Sequence, residues 1–341
     1  MPKTESGLTV AVTGPTGTFG HGLMPLLQSD PRIERIVGIA RREFDPDEHG
    51  WSKMEYRQGD VRDPDALRDA FQAADVVVHL AFMITGNASR ETIRAINVEG
   101  TLNVFRAAGE AGVKRFVYAS SVAAYGFHDD NPVGMTEDHP VRPAAHLFYA
   151  QEKAEIEELL GEESEKHPDL GLYLLRPPIV LGPHAVGAKD VLPAPLAPLA
   201  AVGRKLFEVI QRLPVPVPTL APDVPVQFIH EDDVGSAFLK CIVAAGPPGA
   251  YNIAADGVMT GTEVARELGL SPISIPGSAF YGAAGAAASL PRPGFMPPAA
   301  DWVEAVSHPA IMDTTKAREE LGWHPKYSAA EALRATLPGG G

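Results

Sequence analysis

Residues 8–23 read LTVAVTGPTGTFGHGL, and they decide the fold because a buried strand runs into a glycine turn and then into a helix. The apolar run at the start predicts the strand, and residues 19–28 predict the helix. Gly14, Gly17 and Gly20 would let the backbone approach an anion, to which the helix N-terminus presents free N–H groups. A turn in this position, at the start of a βα unit, predicts a pyrophosphate site. A glycine-rich tight turn without a ligand is the alternative.

The first half of the chain alternates strands with helices, which is the pattern of a parallel, doubly wound sheet. Strands are predicted at 8–12, 34–40, 54–60, 75–81, 115–120 and 172–177, and helices at 19–28, from Pro64, at about 89–110 and at about 146–166. The later, proline-rich part predicts a helix around 202–212, a strand at 226–230, a helix at 231–244 and, over 272–291, a loop and a small-residue helix. We therefore predict a Rossmann-type α/β domain over 1–181 plus about 226–250, with a smaller C-terminal α/β substrate-binding cap over about 182–225 plus 251–341.

The composition excludes several classes of protein. The 341 residues carry a formal net charge of −14, which argues against nucleic acid and against an anionic membrane as partners. The single cysteine, Cys241, excludes an internal disulfide and indicates a reducing cytoplasm. The N-terminal residues lack the pattern of a signal peptide, and the glycines, prolines and serines of 272–291 make it too polar for a membrane span. The histidines show no metal-ligand spacing, so we expect no metal site.

The residues that follow the second predicted strand indicate which dinucleotide the turn would hold. An acid in this place would bind an adenosine 2′-hydroxyl, whereas this chain has Ala40 followed by Arg41 and Arg42. An arginine suits a 2′-phosphate, so we predict that NADP(H) is favoured over NAD(H). A solvated arginine pair is the alternative. Asp60 and Val61, at the end of the third strand, are placed to grip the adenine ring.

Three residue types that suit proton transfer to a carbonyl occur together. Tyr149 and Lys153 lie four residues apart on one face of a predicted helix, and Ser120 and Ser121 end the fifth strand, where ligands gather in a doubly wound sheet. Reduction of a carbonyl needs a proton donor, and the reverse reaction needs a base. A tyrosine hydroxyl serves both once a nearby lysine and a positively charged nicotinamide lower its pKa, and a serine hydroxyl would orient the substrate oxygen. An exposed tyrosine beside a solvated lysine is the alternative for that pair alone.

Ten segments, in order, resemble the extended short-chain dehydrogenase/reductase (SDR) proteins of the NAD-dependent epimerase/dehydratase type. The segments are TGPTGTFG (13–20), GDVRD (59–63), VVHLAF (77–82), INVEGT (96–101), VYASSVAAYG (117–126), YAQEK (149–153), LRPPIVLGP (175–183), QFIHEDDV (227–234), YNIA (251–254) and KAREELGWHP (316–325). They span nearly the whole chain, and the first contains the family's G-x-x-G-x-x-G spacing. Single motifs of this kind are weak, but ten in order are specific.

The resemblance implies roles for individual residues. It makes Ser121, rather than Ser120, the catalytic hydroxyl, Tyr149 the acid/base and Lys153 the ligand of the nicotinamide ribose. The motifs and the resemblance together predict these cofactor-binding residues: Gly14, Thr16, Gly17, Thr18, Phe19, Gly20, Arg41, Arg42, Asp60, Val61, Leu80, Ala81, Phe82, Asn97, Tyr149, Lys153, Pro177, Ile179 and Val180. The residues expected near a small-molecule substrate are Met83, Ser121, Val122, Tyr125, Pro178 and His184. The helices at about 89–110 and 146–166 resemble those that pair in a homodimer, although both would also serve simply to cover the sheet.

The chain departs from the family's nucleotide-sugar members at the expected substrate site. Those members usually carry Asn after the sixth strand and Arg before the strand at 226–230, where this chain reads PIVL (178–181) and PVQ (225–227). The loop 184–225 is largely apolar, and a diphosphate would need better-placed cations than Lys189, Arg204, Lys205 and Arg212. We therefore predict an NAD(P)-dependent oxidoreductase that acts on a small, largely apolar carbonyl or alcohol. Two alternatives stay open: a nucleotide-sugar epimerase or dehydratase that recycles its NAD(P), and a non-catalytic NAD(P)-binding regulator.

Overall fold

The computed structural model describes residues 7–84, 88–145, 147–185, 218–288 and 308–337. The elements up to residue 185 are β1 (Leu8–Thr13), α1 (Thr18–Ser29), β2 (Ile33–Ala40), β3 (Met54–Gln58), α2 (Pro64–Phe71), β4 (Val76–His79), α3 (Arg90–Arg94), α4 (Gly100–Glu110), β5 (Arg115–Ala119), α5 (Phe148–Lys166), β6 (Gly171–Arg176) and β7 (Ile179–Leu181). The later described elements are β8 (Pro218–Asp223), β9 (Pro225–Val226), β10 (Phe228–His230), α6 (Glu231–Ile242), β11 (Gly249–Asn252), β12 (Met259–Thr260), α7 (Gly261–Glu267), β13 (Ser271–Pro276), α8 (Gly277–Ala288), α9 (Thr315–Leu321) and α10 (Ala329–Ala335).

A seven-stranded sheet in the order β11-β6-β5-β4-β1-β2-β3 forms the centre of the fold. Every neighbouring pair in this sheet is parallel. The chain runs outward from β1 through β2 to β3 and then returns to β4 on the other side of β1. This reversal opens a crevice at the carboxyl ends of β1 and β4, where doubly wound sheets bind ligands. The predicted Rossmann-type sheet is therefore confirmed.

Both faces of the sheet are covered, as the apolar runs of the strands require. Alternate residues of β1 enter opposite layers: Val10 and Val12 pack with α1 and α6, and Ala11 packs with α2, α4 and α5. Helices α1 and α6 touch through backbone, because a Cβ built on Gly22 would lie 2.1 Å from Glu231 O. This contact fixes α1, and with it the glycine turn, against the helix that follows β10.

The second half of the described chain contains three small sheets. Strand β10 pairs with β7 in parallel, β12 pairs with β9 in antiparallel orientation, and β13 pairs with β8 in parallel. These pairs lie outside the central sheet, as expected for a region without a long series of strands. The predicted helix at 202–212 and the cations at 189, 204, 205 and 212 lie outside the described residues.

Four local predictions need correction. The helix predicted over 89–110 is interrupted by a π-helical turn, Ala95–Glu99. The strand predicted at 226–230 is split between β9 and β10, and the predicted loop at 272 is strand β13, which leads into the expected helix α8. Strand β11 was missed, because Gly249–Asn252 is too short to show an apolar pattern and gains its place by pairing with β6.

Within the described ranges, no helix is long and apolar enough to cross a bilayer.

Candidate functional site

The glycine turn lies in the crevice at the end of β1. Gly14 has φ +70°, and a Cβ on it would lie 2.9 Å from Ala81 Cα, so the turn presses against the segment after β4. A Cβ on Gly20 would lie 1.8 Å from Pro15 O, so the turn itself excludes a side chain there. Gly17 differs, because a Cβ on it would meet only Gly14 O at 3.5 Å, an ordinary contact. Packing inside the chain therefore does not demand a glycine at position 17.

Helix α1 begins at the turn without a capping side chain. Gly17 is the N-cap and makes no side-chain hydrogen bond to the helix, and the first turn contains no acid. Thr16 and Gly17 are exposed, while Thr18 and Phe19 are half-buried. The partial positive charge of the helix end is thus presented to an open surface, which suits a diphosphate.

The turn after β2 holds two exposed arginines on a fixed backbone. Tyr56 donates its hydroxyl to Arg42 O at 3.1 Å, and Gln58 donates its side-chain N–H to Arg41 O at 3.1 Å. Among the described residues, neither guanidinium takes part in a salt bridge. Asp60, by contrast, accepts from Arg62 at 2.7 Å, and this bond lowers the pKa of its carboxyl. Both arginines are therefore available to an anion at this edge of the crevice.

Asn97 clamps the segment that follows β4. It lies fully buried in the π-helical turn, accepts from Met83 N at 2.7 Å and donates to Met83 O at 2.9 Å. Its amide also donates to Glu152 Oε2 at 2.7 Å. Asn97 was predicted to support the nicotinamide end of the cofactor, and that role stays a prediction. The asparagine holds Phe82 and Met83 against α5.

A buried histidine ties the same segment to the glycine turn. His79 Nδ1 lies 2.6 Å from Thr13 Oγ1, and His79 Nε2 lies 2.9 Å from Thr101 Oγ1. Thr101 donates its own hydrogen to Asn97 O, so it accepts from Nε2–H, and Thr13 donates to Nδ1. Burial, together with the charge of Lys153, lowers the pKa of His79 to about 3. The imidazole therefore stays neutral and joins β1, β4 and α4 structurally.

Ser121, Tyr149 and Lys153 come together at the carboxyl end of β5. Ser121 is the N-cap of the 3₁₀ turn Val122–Tyr125, and its Oγ accepts from Ala123 N at 3.2 Å. The Ser121 hydroxyl also forms a hydrogen bond with Tyr149, which works to lower the pKa of the phenol. Burial is the larger effect and raises the pKa of Tyr149 above its usual value of 10. The predicted lowering by Lys153 and a nicotinamide charge stays a prediction.

The ammonium of Lys153 is buried beside the tyrosine. Its Nζ donates to Ala119 O at 2.6 Å and to Tyr118 Oη at 3.1 Å, and lies 5.8 Å from the centre of the Tyr149 ring. Burial lowers the pKa of Lys153 to about 7, while the charges of Glu157 and Glu152 oppose the shift. The side chain is therefore held against β5, where its proton is lost more readily than that of a surface lysine.

A buried polar network behind Ser121 was missed by sequence reasoning. Arg176 and Glu157 form an ion pair at 2.5 Å, with both side chains almost fully buried, and Ser120 donates its hydroxyl to Glu157. Arg176 also donates to Tyr125 Oη at 2.6 Å, and Tyr125 donates to Asn252 Oδ1 at 2.8 Å. The available signal was Glu157, which follows Lys153 by one helical turn on α5. The network joins β5, α5, β6 and β11 around Ser121, Tyr149 and Lys153.

The structure places the remaining predicted residues around this centre. Tyr125 is fully buried with its hydroxyl bound to protein groups, so it supports the turn behind Ser121 rather than meeting a substrate. Val122 donates its backbone N–H to Pro177 O at 2.9 Å, which joins the 3₁₀ turn to the segment before β7. His184 donates its Nδ1–H to Glu231 Oε1 at 2.7 Å and stacks on His21 with the ring centres 4.4 Å apart. Leu80, Ala81, Phe82 and Val180 are half-buried, Pro177, Pro178 and Val61 are buried, and Ile179 is 54% exposed.

A glycine turn at the switch point of a doubly wound sheet, with Ser, Tyr and Lys gathered at the end of β5, defines an SDR-type enzyme. The model of the "NAD dependent epimerase/dehydratase family" matches residues 10–254, and the chain belongs to this family. Among curated relatives, the uncharacterized protein Rv0501 of Mycobacterium tuberculosis is 27% identical over 333 residues, which is 95% of this chain and 82% of that protein.

Two solved structures share the fold. The UDP-glucose 4-epimerase of Thermotoga maritima with UDP-glucose aligns with a TM-score of 0.69 and 21% identity, over 97% of each chain. The Bordetella bronchiseptica enzyme WbmG in complex with NAD and UDP aligns with a TM-score of 0.68 and 20% identity, over 99% of this chain and 95% of that chain. Among the described residues, no cluster of three His, Cys, Asp or Glu side chains could hold a metal ion.

Proposed function

We propose that the chain transfers hydride between NAD(P) and a carbonyl or alcohol carbon, with Tyr149 as the acid/base. The observation that carries the proposal is the hydrogen bond between Tyr149 and Ser121, with the ammonium of Lys153 buried 5.8 Å from the tyrosine ring centre. These groups supply the donor, the orienting hydroxyl and the nearby positive charge that carbonyl reduction requires. A non-catalytic NAD(P)-binding regulator would have no use for all three.

The residues of the crevice fit a dinucleotide. Gly17 is exposed at the uncapped start of α1, so a diphosphate can approach the helix N–H groups there. Asp60 and Val61 would meet the adenine, and Lys153 would bind the nicotinamide ribose. Bound in this way, the cofactor supplies or accepts the hydride.

The chain's own residues handle the proton. In the reducing direction Tyr149 donates its phenolic proton to the substrate oxygen while Ser121 orients that oxygen; in the oxidising direction the phenolate takes the proton back. Burial makes the phenolate costly, as the raised pKa of Tyr149 indicates, and the hydrogen bond from Ser121 works against that rise. We expect the positive charge of Lys153 to favour the phenolate further. The fixed position of Lys153 on Ala119 O keeps that charge near the ring.

We propose NADP(H) as the preferred cofactor. The support is the exposed pair Arg41 and Arg42 on a backbone held by Tyr56 and Gln58, with Ala40 in the place of a ribose-binding acid. WbmG, which shares the fold, was solved with NAD, so the choice has to be measured. Titrating the protein with NADPH and with NADH by fluorescence tests it. Tighter binding of NADH would contradict the proposal.

We propose a neutral, largely apolar substrate. The segment that Asn97 clamps contains Phe82 and Met83, and the next residue, Ile84, is 43% exposed. Ile179, at the start of β7, is 54% exposed. Exposed apolar side chains at the site favour a substrate that buries apolar surface. The second candidate is a nucleotide-sugar epimerase or dehydratase, favoured by the fold shared with enzymes solved with UDP-glucose and with NAD and UDP.

Net cofactor consumption separates the two candidates. An oxidoreductase consumes NADPH in proportion to product, whereas an epimerase or dehydratase recycles its cofactor within a turnover. We expect absorbance of NADPH to fall with a panel of apolar ketones and to stay constant with UDP-glucose. Conversion of UDP-glucose without net NADPH loss, and no reaction with any ketone, would favour the second candidate.

Three further predictions remain proposals. The first is the division into a dinucleotide domain, 1–181 plus about 226–250, and a substrate-binding region, about 182–225 plus 251–341. A homodimer through helices at about 89–110 and 146–166 is the second, and sedimentation velocity tests it. A cytoplasmic location is the third.

A further inference from the structure

The ammonium of Lys153 lies among three aromatic rings. Its Nζ is 3.8 Å from the centre of the Phe82 ring, 4.7 Å from that of Tyr118 and 5.8 Å from that of Tyr149. The shortest of these distances belongs to Phe82, which is not a member of the catalytic trio. An ammonium this close to a ring centre is attracted by the electron-rich face of the ring.

The Phe82 ring also touches the acid/base. Its centre lies 5.5 Å from that of Tyr149, with the two ring planes at 83°, an edge-to-face arrangement. One ring therefore contacts both residues of α5 on which the proposed chemistry depends. A substitution of Phe82 would therefore change the surroundings of both Lys153 and Tyr149.

The ring is held in this place by backbone bonds. Both backbone groups of the next residue, Met83, are bound by the side chain of Asn97, at 2.7 and 2.9 Å. Asn97 in turn donates to Glu152, the neighbour of Lys153 on α5. The position of Phe82 over the ammonium is thus fixed relative to the helix that carries the lysine, rather than left to a flexible side chain on a free loop.

The Phe82 ring adds to the support that hydrogen bonds give the ammonium of Lys153. A buried ammonium has three N–H groups, and hydrogen bonds from Lys153 Nζ reach two acceptors, Ala119 O and Tyr118 Oη. Burial lowers the pKa of Lys153 to about 7, so a modest loss of support would leave the lysine uncharged at neutral pH. The face of Phe82 stabilises the charged form without adding a negative charge that would repel a phenolate at Tyr149.

We propose that Phe82 is a positioning residue for Lys153, which it keeps charged and beside Tyr149. The inference rests on the proposed function, in which the charge of Lys153 supports the phenolate and binds the ribose. It assigns Phe82 a role toward the lysine, in addition to its expected contact with the cofactor.

The test is a titration of Lys153 in the whole chain, without cofactor. The protein is labelled with carbon-13 lysine, the Cε resonance of Lys153 is assigned from a Lys153→Arg variant, and its midpoint is followed against pH. Phe82→Leu keeps an apolar side chain but removes the ring. We expect the midpoint to fall by about 0.4 to 1.5 pH units, the range that the strength of a cation–π contact implies.

Two variants control for packing. Phe82→Tyr retains the ring and should restore the wild-type midpoint. Phe127→Leu makes the same substitution at another partly buried ring near Tyr149, outside the contacts of Lys153, and should leave the midpoint unchanged. Phe82→Met takes the place of Phe82→Leu if circular dichroism shows that the leucine variant does not fold.

An unchanged or raised midpoint in Phe82→Leu would overturn the inference, as would an equal shift in Phe127→Leu. This readout needs neither substrate nor cofactor. Failure of the proposed function would instead appear as the absence of NADPH and NADH binding in the wild-type chain, so the two failures are distinguishable.

Discussion

Replacing Gly17 with alanine should weaken cofactor binding and leave folding almost intact. Gly17 has φ −83° and ψ 175°, an extended conformation that alanine adopts freely. A Cβ there would meet only Gly14 O, at 3.5 Å, so the folded chain has room for it. The same methyl group would project from the uncapped helix start, into the space that the diphosphate needs.

Gly17→Ala should affect cofactor binding more than it affects stability. As the N-cap of α1, glycine is better than alanine, so the free energy of unfolding should fall by about 1 kcal/mol. A diphosphate displaced by the methyl loses at least one hydrogen bond between a backbone N–H and a charged oxygen, about 1.5–3 kcal/mol. That loss corresponds to a rise in Kd of about 10- to 150-fold.

Gly20→Ala is the matched control. A Cβ there would lie 1.8 Å from Pro15 O, so the turn must shift, and such overpacking typically costs about 1–3 kcal/mol of stability. Urea unfolding followed by tryptophan fluorescence measures the stability of both variants, and NADPH titration measures Kd. If Gly17→Ala bound NADPH as tightly as the wild-type chain, the diphosphate would not lie at this turn. If it unfolded as readily as Gly20→Ala, Gly17 would be a packing glycine.

Three further predictions concern charged groups. Glu157→Gln leaves the buried Arg176 without its counter-ion and should lower the free energy of unfolding in urea by about 3–5 kcal/mol; a loss under about 1 kcal/mol would refute the ion pair as a support of the fold. Arg41→Ala should raise the Kd for NADPH about tenfold and leave the Kd for NADH unchanged. An equal effect on both Kd values would contradict a contact between Arg41 and the 2′-phosphate. The pKa of Lys153 is about 7 in the folded chain and 10.5 ordinarily, so between these pH values the unfolded chain binds one proton more than the folded chain, and stability rises with pH. From pH 7 to pH 9 the free energy of unfolding of the wild type should therefore rise by about 2 kcal/mol relative to that of Lys153→Met. A difference that stays constant with pH would contradict the shifted pKa.

The parts of the fold that sequence predicts well are those set by local patterns. The unit from β1 to α1 has a buried strand, a glycine turn and a helix within one short stretch, and the structure confirms it. The π-helical turn at Ala95–Glu99 could not be predicted in this way. Its central residue, Asn97, bonds through its side chain to Met83 and Glu152, which lie 14 and 55 residues away in sequence.

In the candidate site, too, local sequence patterns predict some features, whereas contacts between separate elements determine the others. The trio could be proposed because Tyr149 and Lys153 share a helix face and Ser121 ends a strand. The position of Phe82 over Lys153 and the pairing of Glu157 with Arg176 could not, because each joins side chains from separate elements. The fit between those elements depends on the packing of α5 against β5 and β6, which the sequence pattern does not specify.

The account depends most directly on Tyr149 as the group that moves the proton. The decisive measurement is net oxidation of NADPH with a panel of apolar ketones by the wild-type chain and by Tyr149→Phe, alongside the Kd for NADPH of each. We predict that Tyr149→Phe loses turnover by about a hundredfold or more, as expected for removal of a general acid, while the Kd for NADPH stays within about twofold. Undiminished turnover by Tyr149→Phe would contradict the assignment of the acid/base.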